Sequence, residues 1–115
     1  MDVRSVFLTA YAKDWAGVSD WWSRALGRRW DREPVSNCHE WSLMGGVIFQ
    51  VIDFGGGPKG TVVTVKVDDL DVEVGRLRGL GFAAPDPAKV PGFATLRFCS
   101  LKDPEGNELG LLDGD

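Results

Sequence analysis

Alternation with a period of two marks the first strands of the chain. Over residues 5–11, Val6, Leu8 and Ala10 fall on one side and Ser5, Phe7, Thr9 and Tyr11 on the other. Over residues 61–67 the pattern is clearer, with Val63, Val65 and Val67 on an apolar side and Val62, Thr64 and Lys66 on a mixed one. Each strand runs into an aspartate and then into apolar positions at helical spacing. Asp14 caps a helix whose stripe is Trp15, Val18, Trp22, Ala25 and Leu26, and Gly27 stops it. A second helix begins near Asp69, carries Leu70, Val74, Leu77 and Leu80, and stops around Gly81. "RALG" and "RGLG" end the two helices in nearly the same words. Further strands are predicted at 28–34, 39–44 and 47–53 after the first helix, and at 82–84, 94–101 and 108–112 after the second.

The order is therefore β–α–β–β–β, a joint "FGGGPKG", and β–α–β–β–β again, a repeat of half the chain that suggests an internal duplication. The fold class is α+β: two βαβββ modules forming cupped mixed sheets with helices on the outer face. The 115 residues suffice for one domain with a real core, divided into module one at 1–54, the joint at 55–60 and module two at 61–115. A helix covers one face of each sheet, so the other face is left free to curve around a ligand.

Charge and composition narrow the partners. A net charge of −4 disfavours binding to a nucleic-acid backbone and is compatible with a cationic ligand. No apolar run approaches the roughly 20 residues that cross a bilayer, and charges break the N-terminal stretch too early for a secretory signal. Cys38 and Cys99 are too few and too far apart for a disulfide framework or a zinc ribbon, and read as free thiols in a reducing cytoplasm. The expectation is thus a cytoplasmic protein with no nucleic-acid or membrane partner. Five tryptophans are many for such a chain, and indole rings make good walls for flat organic ligands as well as core.

Several motifs fail on inspection. Gly55, Gly57 and Gly60 match G-x-G-x-x-G, but a valine-rich strand follows where a dinucleotide site needs a helix, and Thr61 stands where a P-loop needs lysine. In "CHEW", Cys38, His39 and Glu40 alternate across a strand and cannot all ligate one metal. His39, the only histidine, reads first as a surface or hydrogen-bonded residue and second as a ligand or base. No serine sits in a nucleophile elbow, and a single histidine leaves little material for a triad. Asp14 with Asp20, and Asp68 with Asp69, lie at helix starts or on a helix surface, where capping accounts for them.

The doubled βαβββ plan, "AKDW…WW…ALG", "VKVDDLD…RLRGLG" and the terminal "DPEGNELGLL" together resemble the vicinal oxygen chelate superfamily, which includes glyoxalase I, extradiol dioxygenases and bleomycin-resistance proteins. The resemblance covers nearly the whole chain. It implies that metal-dependent members hold an ion with histidine or glutamine near the start of the first strand of each half and glutamate on the last strand of each half. Carried onto this chain, those positions are Phe7, Gln50, Val62 and Gly110, and only Gln50 offers a donor atom. Alternation independently puts Phe7 and Val62 on the mixed faces, Gln50 with Ile48 and Ile52, and Gly110 with Glu108 and Leu112.

About three protein ligands hold a catalytic divalent ion, so no metal, no cofactor and no catalytic residue is expected. The ligand-binding residues are expected to be Phe7, Thr9, Trp41, Ile48, Gln50, Ile52, Val62, Thr64, Glu108, Gly110 and Leu112, with the apolar members burying a large flat molecule and Thr9, Gln50, Thr64 and Glu108 orienting it. The resemblance implies a homodimer, with halves swapped in some members. The function expected is binding of an organic small molecule, as in sequestration of an aromatic or peptide-like antibiotic. The alternative is a glyoxalase-like lyase, isomerase or dioxygenase with a displaced metal site drawn from His39, Glu40, Gln50 or Glu108. A third reading, an interaction module, requires the concave face to be filled by Trp30, Trp41 and Phe98.

Overall fold

A computed structural model of the chain describes residues 2, 5–53 and 60–115. Its described residues group into two compact units, one running to Thr61 and including Asp103–Asn107, the other made of Val62–Lys102 and Glu108–Asp115. Most of the glycine-rich joint expected at 55–60 lies outside the described residues; Gly60 has a φ of 85°, in the left-handed region.

The first unit contains β1 (Val6–Tyr11), α1 (Trp15–Leu26), β2 (Cys38–Met44) and β3 (Val47–Ile52). The Asp14 carboxylate accepts from the Gly17 N–H at 3.2 Å, satisfying a donor that the first turn leaves free. At the other end Gly27 adopts φ 74°, a conformation costly for a residue with a Cβ, and its N–H returns to the helix carbonyls. The sheet order is β1-β3-β2, parallel between β1 and β3 and antiparallel between β2 and β3. One sheet face packs on α1: Ala10, Trp41, Phe49 and Val51 are buried with Val18, Trp22 and Ala25 of the helix, and the Trp22 and Phe49 rings lie 4.4 Å apart. Burial of each large side chain contributes on the order of 2–3 kcal/mol.

Asp103–Asn107 supplies the polar part of this core. The buried Asp103 carboxylate accepts from Trp22 Nε1 at 2.9 Å, from the backbone N–H groups of Glu105 and Asn107, and from Asn107 Nδ2. Glu105 accepts from the Lys13 and Asp14 backbone N–H groups at 2.8 and 2.7 Å, so its carboxylate fixes the chain at the entry to α1.

The second unit contains β4 (Val62–Lys66), α2 (Leu70–Gly79), β5 (Ala88–Lys89), β6 (Arg97–Lys102) and β7 (Glu108–Asp113), in the order β4-β7-β6-β5 with β4 and β7 parallel. Asp69 caps α2 through the Asp71 and Val72 N–H groups. Leu70, Val74 and Leu77 are buried, as are Val63, Cys99, Leu101, Leu109 and Leu111 of the strands. Asp113 ties helix to sheet: it accepts from the Leu70 N–H at 2.8 Å and from Arg97, which also reaches Asp71. The Arg97 guanidinium and the Leu70 N–H hold the Asp113 carboxyl below the usual carboxylate range.

The fold is α+β with two βαβββ modules, as the repeat indicates, but the second strand of each module is reduced. Instead of a strand at 28–34 there is a single bridge between Arg32 and Glu40. The Asp31 and Arg32 N–H groups both converge on the Glu40 carbonyl, and Pro34 has no donor to extend the ladder. Nor is there a strand at 82–84, because this segment closes α2: the Phe82 N–H goes to the Leu77 carbonyl and Arg78 Nε to the Ala84 carbonyl. The edge strand forms beyond Pro85 and Pro87, at Ala88–Lys89. Among the described residues no helix is long and apolar enough to cross a membrane.

Two outcomes follow for stability. Asp103→Ala leaves Trp22 Nε1, Asn107 Nδ2 and two backbone donors without their acceptor, and is expected to cost about 3 kcal/mol in urea denaturation at neutral pH. Because the Asp113 carboxyl titrates lower in the folded chain than in the unfolded one, its contribution is complete above the unfolded value of about 3.9 and is lost as pH falls through the lower folded value. Asp113→Asn should accordingly flatten the acid limb of a stability–pH curve.

Candidate functional site

In each unit the face away from the helix is the one the strand alternation leaves open. In the first unit, pairing sets Phe7, Thr9 and Tyr11 of β1 beside Ile48, Gln50 and Ile52 of β3, which in turn lie opposite Ser42, Glu40 and Cys38 of β2. Phe7 is 53% exposed, whereas Thr9, Ile48, Gln50 and Ile52 are half-buried. The polar groups form a chain. Thr9 Oγ1 donates to Gln50 Oε1 at 3.0 Å, Gln50 Nε2 donates to Glu40 Oε2, Arg32 Nε donates to Glu40 Oε1 at 3.2 Å, and Arg32 reaches Ser42 Oγ at 3.1 Å. Both ends of the Gln50 amide are therefore engaged. Glu40 is a buried carboxylate, and the Arg32 cation and Gln50 amide offset the cost of holding it there. Burial, with Glu40 and Glu33 nearby, pushes the Cys38 thiol up, away from the reactive thiolate.

In the second unit, Val62, Thr64 and Lys66 of β4 register with Glu108, Gly110 and Leu112 of β7, and Ser100 and Phe98 of β6 lie opposite Gly110 and Leu112. Val62 is 55% exposed and Phe98 37%. Gly110 is buried, and a Cβ built on it would stand 2.9 Å from Thr64 Oγ1 and 3.3 Å from Phe98 Cε2. The space a side chain would need is already filled.

Of the residues expected on these faces, one is misplaced. Trp41 is fully buried on the α1 side, its ring against Phe49 and its Nε1 donating to the Arg28 carbonyl at 3.1 Å. It neighbours Glu40, so alternation sends it to the opposite face from Gln50. His39 shares the α1 side. Its ring stacks on Trp30 at 4.0 Å and 14°, Trp15 lies 4.5 Å away, Nδ1 is 2.5 Å from Ser19 Oγ and Nε2 is 3.4 Å from Glu33. A displaced metal site drawing on His39 together with Glu40 or Gln50 is thus not assembled. Among the described residues no three His, Cys, Asp or Glu side chains gather as a metal site. Trp30 and Trp41 both lie on the helix side, so they do not fill an open face, and Phe98 alone of that trio lies on one.

Arg32 and Ser19 escaped the sequence reading, and Glu40 entered it only as a possible ligand of a displaced metal site. Glu40 and Arg32 become a pair only through the bridge that replaces a full strand. Ser19 lies on a face of α1 where Ala16, Ser19, Asp20 and Ser23 recur at i, i+3, i+4 and i+7, a small and polar stripe that was legible as such.

The sequence profile of the glyoxalase-like domain family matches residues 5–112. The chain belongs to this family. It is thereby a member of the vicinal oxygen chelate superfamily. No protein of curated function gives a significant match. Among solved structures, a glyoxalase/bleomycin resistance protein from Catenulispora acidiphila DSM 44928 superposes with a TM-score of 0.83 at 19% identity, covering 96% of this chain and 98% of the other. TnmS3, an antibiotic binding protein from Streptomyces sp. CB03234, gives 0.77 at 20% identity over 100% and 97% of the two chains. Lactoylglutathione lyase from Agrobacterium tumefaciens gives 0.77 at 14% identity over 95% and 92%. At these identities the likeness is one of fold, and the fold is shared by glyoxalase-like proteins described as binders and as enzymes.

The packing at Gly110 makes a prediction for this glyoxalase-like domain. Gly110→Ala should lower stability by about 1 to 3 kcal/mol, since the new methyl meets Thr64 and Phe98. In a double-mutant cycle read by thermal denaturation, Thr64→Ala should recover part of that loss.

Proposed function

We propose that this glyoxalase-like domain binds an organic small molecule without a resident metal ion, and that it sequesters an aromatic or peptide-like compound such as an antibiotic. The observation that carries this reading is the donor set. Phe7, Val62 and Gly110 stand at three of the four positions that resemble the superfamily's ligand positions, and none has a ligating side chain. At the fourth, Gln50 spends its carbonyl on Thr9 and its amide on Glu40. These residues do not fit a divalent ion, which needs about three protein ligands. Gly110 cannot regain a carboxylate without displacing Thr64 or Phe98.

What remains on the open faces suits an apolar, flat ligand. Phe7, Ile48 and Ile52 in the first unit, and Val62, Phe98 and Leu112 in the second, offer apolar surface next to Thr9, Gln50, Thr64 and Glu108. The antibiotic-binding character of TnmS3, on the same fold, supports the ligand class. We take the working form to be a homodimer in a reducing compartment, as the superfamily resemblance and two buried free thiols suggest.

Titration of tryptophan fluorescence against a panel of planar antibiotics should give a saturable change with at least one compound, unaltered after exhaustive treatment with EDTA. Phe7→Ala is expected to weaken that binding about tenfold, roughly 1.4 kcal/mol. Elemental analysis of protein purified without chelator should find less than one divalent ion per chain. A stoichiometric ion whose removal abolishes binding would overturn the metal-free reading.

A further inference from the structure

On the α1 side of the first sheet there is a cavity of about 290 Å³, lined by the small and polar stripe of α1 and by Arg29, Trp30 and His39. Alternation along β2 separates it from the face that carries Gln50 and Glu40. Ser19 and His39 both border it, with Ser19 Oγ 2.5 Å from His39 Nδ1 and Glu33 beyond the other ring nitrogen. Trp15 and Trp30 grip the imidazole, Trp30 nearly parallel to it. This is a hydroxyl, an imidazole and a carboxylate in the order that activates a serine, opening on one pocket.

We propose that this pocket is a reactive site in which Ser19 is a nucleophile toward the acyl carbon of small esters, His39 takes its proton, and Glu33 is a positioning residue that holds the imidazole proton on Nε2. Ser19 Oγ forms a bond to the acyl carbon as its proton passes to Nδ1, and the carbonyl electron pair moves onto oxygen. Arg29, in the same lining, supplies positive charge for that oxygen. The pair returns as the ester C–O bond breaks, and the departing alcohol takes the proton from Nδ1. Water, deprotonated by the same nitrogen, then cleaves the acyl-serine to release the carboxylic acid and restore Ser19.

Two features support the assignment. Burial lowers the His39 pKa, against the opposing pull of Glu33 and with a contribution from Arg29, so the ring is a neutral base at neutral pH. The 3.4 Å gap to Glu33 is long for a hydrogen bond, as base–carboxylate contacts often are before substrate tightens them. Ser19 is a buried residue that borders the pocket, so reactive compounds must be small.

The test uses the wild-type chain with a small fluorophosphonate, followed by intact mass and fragment sequencing of the tryptic peptide 14–24, which separates Ser19 from Ser23. The expected result is one adduct per chain on Ser19, forming more slowly as pH falls through a midpoint below the ordinary histidine value. Glu33→Gln removes the anion that holds this midpoint up, so it should move the midpoint lower and slow hydrolysis of p-nitrophenyl acetate by about tenfold or more. Ser19→Ala should abolish labelling with the circular dichroism spectrum unchanged. An adduct confined to Ser23 or another residue, no adduct at all, or labelling of Ser19 that ignores pH would each overturn the proposal. The mapping stands on the wild-type protein even if a variant fails to fold.

Discussion

Neighbouring residues on a β-strand point to opposite sides, and in this protein that constraint decides where polar chemistry can collect. The split is sharpest within "CHEW". His39 turns toward α1, where it meets Ser19, Trp15 and Trp30, while Glu40 turns to the open face and meets Gln50 and Arg32. Two polar clusters result, separated by the thickness of a sheet, and no single ion or substrate atom can use both. The register that keeps them apart rests on Glu40 lying opposite Gln50 and on the Arg32 bridge to the same residue. A slip of one residue would carry the buried carboxylate into the aromatic core and the imidazole out of it, so the arrangement is strongly specified.

The same constraint explains what could be read from the chain. Caps at Asp14, Gly27 and Asp69 are local, so their residue types announce them. The side assignments of Phe7, Thr9, Gln50 and Gly110 need only counting by twos. Trp41 went astray because its ring suggested a ligand wall, although it sits one residue from Glu40 and two from His39 and so must share His39's side. The reduced second strands were illegible for another reason. Their backbone donors and acceptors are taken by partners outside any strand periodicity, the Glu40 carbonyl in one case and the Arg78 side chain in the other. The meeting of Ser19 with His39 spans twenty positions of sequence, and no spacing rule reports it.

The C-terminal "DPEGNELGLL" shows how carboxylates near a site can be wholly structural. Asp103 gathers the Trp22 indole and the turn's own donors, Gly106 takes φ 89° to let the chain double back, and Glu105 fixes the approach to α1. Three residues beyond Asn107, where the superfamily resemblance leads one to look for a carboxylate, Gly110 is closed over by Thr64 and Phe98. The absence of a side chain there is not a hole awaiting one. Phe98 leans across the bare backbone, a common way for an aromatic ring to compensate a glycine in a sheet.

The open face of the first unit has its polar groups satisfied before any ligand arrives. Thr9, Gln50, Glu40, Arg32 and Ser42 form one connected chain of hydrogen bonds. A ligand that pulled Gln50 or Glu40 away from these partners would do so at a cost of about 1 to 3 kcal/mol for each group left buried and unpaired. A flat ligand that covers Phe7 and Ile48 breaks nothing and gains roughly 25 cal/mol for each Å² of apolar surface it removes from water. Discrimination on such a face comes from shape and apolar area, with the hydrogen-bonded chain acting as a rigid floor. That is the balance the proposed binding role requires of this face, and the proposed reactive site lies on the other side of the sheet, where a hydroxyl and an imidazole border a cavity.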